Sequence, residues 1–222
     1  DQGLDELAES TRSEFKKMLY RGAQDYIETA IDYAECGLYE NASEILEMGI
    51  ESSQGDINPL LYYYLGEYAL QNGNKRQAQY YFHEAAKLSP EYVFPNRPET
   101  IEALTSAIEE NSNDWKARYY LGTYLAAKDQ WKEALRIYYE AEQAGADYAV
   151  LYRNTAQIYQ QQARNLNKAA EYYNKAIAAN PDDYRYYLDL DQIFRKLRET
   201  EKRIALFKRA REEVMENFNS QL

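Results

Sequence analysis

Arg153 and Asn154 stand side by side in the stretch LYRNTAQIY, two strong hydrogen-bonding groups in an otherwise aromatic and apolar setting. A guanidinium offers five donors and an amide both donors and an acceptor, and such groups are costly when buried without partners. Two uses fit them. They hold a ligand, or they brace the fold, Arg153 bridging to an acid such as Asp147 while Asn154 ties neighbouring helices together. Bond-making chemistry finds much less support. The one histidine, His83, lies between Phe82 and Glu84 with no Ser or Cys nucleophile in a matching context, which leaves no His-pair metal site and few His-centred triads. The one cysteine, Cys36, excludes an internal disulfide. Carboxylates are many but fall at the spacing of solvated helix faces, and no glycine-rich phosphate loop occurs. The expectation is a non-catalytic protein with no cofactor and no metal.

Composition narrows the partners. The 222 residues are 45% hydrophobic and carry a net charge of −11, enough apolar matter for a core and too much negative charge for a phosphate backbone. Nucleic acid is therefore not expected. No apolar run approaches the ~20 residues that cross a bilayer, and no signal peptide is legible, so the expectation is a cytoplasmic chain without membrane contact. It begins DQGLDELAES without a Met, as a mature form or a piece of something longer would. Tyrosine is abundant, 24 against 6 Phe and 2 Trp, and suits thin helical layers in which a ring is buried while its hydroxyl stays wet. Charge is uneven: residues 1–58 hold 14 acids and 4 bases, whereas residues 195–213 hold 8 bases and 4 acids. Such ends steer partners together or simply form two solvated helix faces.

The elements that position these residues repeat. After Leu65-Gly66 come Ala78, Phe82, Ala85 and Pro90; after Leu121-Gly122 come Ala134, Tyr138 and Ala141 at the same offsets. A third copy runs through Tyr152, Ala156, Ala169, Tyr173, Ala176 and Pro181, shifted one residue by the longer ARNLN loop. An earlier, weaker copy has Tyr26, Ala30, Tyr33, Ala42, Leu46 and Gly49; the last is degenerate, with Tyr187, Leu190, Phe194, Phe207 and Ala210. Each copy reads as two helices. Small residues sit where the axes cross at ~8–10 Å, and a mid-helix glycine costs about 1 kcal/mol, so Gly66 and Gly122 imply a steric need. Phe82 and Tyr138 fill the space beside them. In QNGN a glycine takes the left-handed position that ends the first helix, and Pro90 and Pro181 stop the second.

This pattern resembles the tetratricopeptide repeat, in which small and aromatic residues recur over 34 residues, the distance from Gly122 to Ala156. The resemblance implies an all-α fold: a right-handed superhelix of about five full repeats plus one half repeat lacking its first helix. The chain then reads as a single solenoid over 1–222, with a leading helix at 1–22 (Leu4, Leu7, Phe15, Met18 and Leu19 on one face). Repeats follow at 23–58, 59–92, 115–148, 149–183 and 184–217, and the half repeat is 93–114. Tyr stands for the family's Trp, and Asp191 occupies a position that should be small. A polar terminal repeat is what a solenoid end requires.

Gly66 and Gly122 lie fifty-six residues apart, and TIEALTSAIEENS between them matches a second helix alone through Thr100, Leu104, Ala107 and Ser112. About one first helix is missing, and EYVFPNR replaces it as an extended link. Asn96 is expected to cap the next helix with Glu99 three residues on, and Pro98 fits a first turn. Two readings of the link stand. Phe94 plugs the space of the missing helix while Arg97 pairs with a neighbouring Glu, or the link floors a ligand pocket.

Within the family the first helices line the concave groove, so the resemblance implies groove-facing residues just after each packing position. These are Tyr63, Tyr64 and Glu67; Tyr119, Tyr120 and Thr123; Arg153, Asn154 and Gln157; and Asp189 and Gln192, with Asn96 and Arg97 at the link. Aromatic and amide-rich, such a surface suits the backbone of an extended peptide or a stacked sugar. The Lys/Asn array with which some family members clamp a carboxylate terminus is absent from these positions. YVFPNR, YRN at 152–154 and LDQIF at 190–194 look like a bacterial subgroup that joins a carbohydrate-metabolism-associated β-rich domain to a tetratricopeptide tail. The resemblance implies a protein or peptide partner bound by a scaffold. The alternative is an accessory module that orients or dimerises a catalytic domain of the same longer chain, with carbohydrate as a further ligand. A weak homodimer through the terminal helices is also expected.

Overall fold

The computed structural model describes residues 10–14, 22–53 and 55–220. Among them all regular structure is helical: α1 Ala23–Glu35, α2 Tyr39–Ser52, α3 Pro59–Gln71, α4 Lys75–Lys87, α5 Thr100–Glu110, α6 Trp115–Ala127, α7 Trp131–Gln143, α8 Ala149–Gln161, α9 Leu166–Ala179, α10 Tyr184–Leu197 and α11 Thr200–Ser220. Residues 10–14 are helical as well. Of the leading helix, Leu4, Leu7, Phe15, Met18 and Leu19 lie outside the described residues. The chain divides into two compact units, 1–121 and 122–222, with the boundary inside α6.

In unit one, α1 packs on α2, α3 on both α2 and α4, and α5 on α3 and α4. Asn58 starts α3 by accepting from the Leu60 N–H at 2.9 Å, with Pro59 in the first turn where its missing N–H costs nothing. The mid-helix glycine then takes its reason from the neighbour: a Cβ on Gly66 would sit 2.2 Å from the Phe82 ring. The two helices approach that closely only because the side chain is absent. Gly73 adopts φ +73 where the chain turns from α3 into α4. The half-repeat helix α5 buries Thr100, Leu104 and Ala107. Its start differs from expectation: Asn96 does not cap it. The first helical residue is Thr100, the cap position is Glu99 with no side-chain cap bond, and the Asn96 amide oxygen instead accepts from Gln24 of α1 at 3.2 Å.

Unit two repeats the device. A Cβ on Gly122 would lie 2.6 Å from the Tyr138 ring. From α7 to α11 each helix packs on the next. Asn165 and Asp183 cap α9 and α10, accepting from the N–H groups of Lys168 at 3.1 Å and Arg185 at 3.0 Å. Asp191, at the position a repeat keeps small, is 9% exposed and takes both ends of Arg203, Nε at 2.6 Å and an Nη at 3.2 Å. On α11 the packing residue is Leu206, 5% exposed, while Phe207 turns outward at 45%.

The tyrosines form the core itself. Tyr26, Tyr63, Tyr64, Tyr120, Tyr138, Tyr173 and Tyr187 are among the largest fully buried side chains. Several hydroxyls find protein partners rather than water: Tyr81 donates to Glu47 at 2.9 Å and Tyr173 to Gln160 at 2.9 Å. A ring buried with its hydroxyl paired loses little for its polarity.

Candidate functional site

Each unit contains a cleft, and the two differ in chemistry. The cleft of unit one, about 200 Å³, opens between α1, α3 and the start of α5, where the half repeat lacks its own first helix. Tyr64, Glu67, Tyr68 and Gln71 come from α3, Glu35 from α1, Tyr39 from α2, and Glu99 and Glu102 from the entry and first turn of α5. Tyr39 and Tyr68 lie 5.9 Å apart between ring centroids, and Tyr68 and Tyr64 6.0 Å. Burial, then the neighbouring Tyr64 and the carboxylates Glu99 and Glu67, push the Tyr68 phenol far up, so it stays a neutral donor. Glu67 is buried; its Oε1 accepts from the Gln71 amide at 2.6 Å.

The cleft of unit two, about 240 Å³, is framed by α6, α7 and α8. Thr123, Asn154 and Gln157 line it together with Gln161, Gln162 and the ring of Trp131. It is amide-rich. The Thr123 hydroxyl shares a 3.1 Å hydrogen bond with the Tyr138 hydroxyl, which places it at the glycine crossing.

The residues singled out in the sequence therefore scatter. Tyr63, Tyr64, Tyr119 and Tyr120 are between 0% and 5% exposed and so belong to the core, with Tyr64 also bordering the cleft of unit one. The reason for unit one is that α2, α4 and α5 all pack on α3, leaving its Tyr63 face covered. Tyr63 donates to Asp114 at 3.0 Å and Tyr64 shares a 2.7 Å bond with Thr100. Asp114 is itself 3% exposed and accepts from the Ala117 N–H at 3.0 Å. Burial raises its carboxyl against the pull of those donors. Arg153 is half-buried and pairs with Asp189 at 2.8 Å, joining α8 to α10; its partner is not Asp147. Gln192 is exposed, beside Arg195 and Lys196. Arg97 is held by Glu99 at 3.3 Å.

The link corrects one expectation outright. Phe94 is 73% exposed and Val93 is 4%, so Val93, with buried Pro95, fills the core space that Phe94 was expected to plug. Extended backbone alternates its side chains, and here Phe94 and Asn96 point out while Val93 and Pro95 point in. That alternation was readable in YVFPN. Glu35, Tyr39, Tyr68, Glu99 and Glu102 were not singled out in the sequence, because nothing local tells an acid at the mouth of a cleft from one on a solvated face.

Among described residues no helix is long and apolar enough to cross a membrane, and no group of three or more His, Cys, Asp or Glu could hold a metal ion. The profile of the tetratricopeptide repeat family matches residues 96–149 and 158–217, just over half of the chain. Among solved structures the chain resembles a crystal structure of MamA protein at 18% identity, covering 90% of this chain and 96% of that one, with a TM-score of 0.51. A second MamA crystal structure matches at 18% identity over 87% and 97%, TM-score 0.50. Pseudomonas aeruginosa PilF matches at 16% identity over 86% and 76%, TM-score 0.45. At such identities the likeness extends to the fold alone. No curated protein matches the chain by sequence.

Proposed function

Because this chain belongs to the tetratricopeptide repeat family, we propose that it is a non-catalytic scaffold that holds an extended segment of a protein partner in the amide-lined cleft of unit two. The family is one of protein-interaction scaffolds in general. The observation that carries the finer reading is the convergence of Thr123, Asn154 and Gln157 on one cleft with Gln161 and Gln162. A peptide main chain presents one donor and one acceptor per residue, and carboxamides answer both without imposing a charge. Trp131 and Ile158 supply apolar contact for side chains in the same cleft. Arg153, neutralised by Asp189, acts here as a brace that fixes α8, and so orients Asn154 and Gln157.

The test is selection from a phage-displayed peptide library on wild type and on the double variant Asn154→Ala, Gln157→Ala. Peptides enriched by wild type and lost by the double variant, with an unchanged melting temperature, support this reading. Equal enrichment on both proteins removes it.

A further inference from the structure

The cleft of unit one holds a carboxylate that its own fold serves only in part. Glu67 is 5% exposed, and while its Oε1 is bonded to Gln71, its Oε2 is buried with no hydrogen-bond partner in the protein. A buried anionic oxygen left unpaired is destabilising, and a leucine or glutamine at this place in α3 would avoid the cost. Glu67 lines a cleft bordered by the contiguous rings of Tyr39, Tyr68 and Tyr64. At the mouth stand Glu35, Glu99 and Glu102, and no Lys or Arg lines the space. Arg97, just outside, is engaged by Glu99.

These features select the occupant. A hard metal ion needs several converging oxygens, an arrangement not found among the described residues. An aromatic wall is attractive to an organic cation, and one free carboxylate oxygen at depth suits a point-charge donor. A guanidinium fork seeks two acceptors at once and would find only one. The Glu35, Glu99 and Glu102 carboxylates favour an ammonium that arrives on a basic segment.

We propose that this cleft receives a lysine side chain presented by a peptide, its ammonium donating to the Glu67 carboxylate and its methylene stem lying along Tyr39 and Tyr68. The site shares no residue with the amide-lined cleft and does not depend on it.

The experiment is fluorescence anisotropy on the whole chain with a fluorescein-labelled Gly-Ser-Lys-Ser-Gly peptide. Its Nε-acetyl form, the Arg counterpart and n-butylamine serve as the other probes. Acetylation of the lysine weakens binding about tenfold or more, because it removes the charge and leaves the stem. Glu67→Gln, which keeps a partner for Gln71, does the same, while Glu44→Gln on an exposed face of α2 leaves the affinity unchanged. Equal binding of the lysine and acetyl-lysine peptides overturns the proposal without need of any variant. So does an equal loss from Glu44→Gln, which would mark a diffuse field instead of a site. An arginine peptide that binds as tightly overturns the choice of lysine, and n-butylamine that binds as tightly overturns the peptide as its source.

Discussion

The two units share a glycine crossing, and their clefts put charge to different uses. In unit two the ionised groups near the cleft serve one another: Arg153 is spent on Asp189, and farther along Arg203 is spent on Asp191. What faces the space is mostly neutral, amide, hydroxyl and indole, with the carboxylate of Asp129 among the lining residues. In unit one the carboxylate at depth has an oxygen with no internal partner, and the acids at the mouth outnumber the one nearby base, Arg97. A repeat fold therefore does not prescribe a ligand chemistry. The crossing glycines set how close two helices come, and the side chains that line each cleft set its charge.

The largest expected effect tests whether the two units do share that device. Gly66→Ala, whose Cβ would meet the Phe82 ring at 2.2 Å, lowers stability by about 3 kcal/mol, and Gly122→Ala, at 2.6 Å from Tyr138, by about 2 kcal/mol. Urea unfolding measures both; an alanine tolerated at one site alone would show that the crossings differ. The contrast in charge predicts effects of opposite sign. Glu67→Gln raises stability by about 1 kcal/mol, since it removes a buried anionic oxygen and keeps the bond to Gln71. A fall in thermal midpoint would mean that the carboxylate is internally served after all.

In unit two the acids are expected to be structural. Asp183→Ala removes the cap of α10 and costs about 1 kcal/mol. Its hydrogen bonds from Arg185 hold the Asp183 carboxyl below the ordinary carboxylate range. A depressed folded-state pKa makes the contribution complete at neutral pH and lost as pH falls beneath that range. Asp183→Asn keeps a capping side chain and flattens this acid limb in a pH series of thermal melts. The smallest effect separates two neighbours: Arg153→Ala costs about 0.5 kcal/mol and less in high salt, while Asn154→Ala leaves stability unchanged. Equal losses from the two would place Asn154 in the brace and out of the cleft.

Much of the fold was legible because it follows from local spacing. Gly66 with Phe82, and Gly122 with Tyr138, could be paired from their offsets, since a glycine inside a helix needs a reason. The site was legible only in part. Thr123, Asn154 and Gln157 do meet in one cleft, whereas Tyr63, Tyr64, Tyr119 and Tyr120 went into the core. The α3 segment PLLYYYLGEYALQ is apolar on nearly every face, with ten of its thirteen residues buried, and that absence of a polar stripe was the available sign that a third helix covers it. Asp191 was visible as a misfit. Its remedy, Arg203 twelve residues on, lies on the next helix and has no fixed spacing to announce it.

By itself the sequence determined the helical class, the repeat, the missing first helix of the half repeat and the glycine crossings, all of which rest on spacing along one chain or between adjacent helices. Only the tertiary structure decided which face of α3 meets water, which of Val93 and Phe94 turns inward, and which carboxylates, Glu67 and Glu142, keep a buried oxygen without a hydrogen-bond partner. Those outcomes depend on what arrives from distant segments, and burial, unlike helical periodicity, is a property of the neighbours and not of the residue.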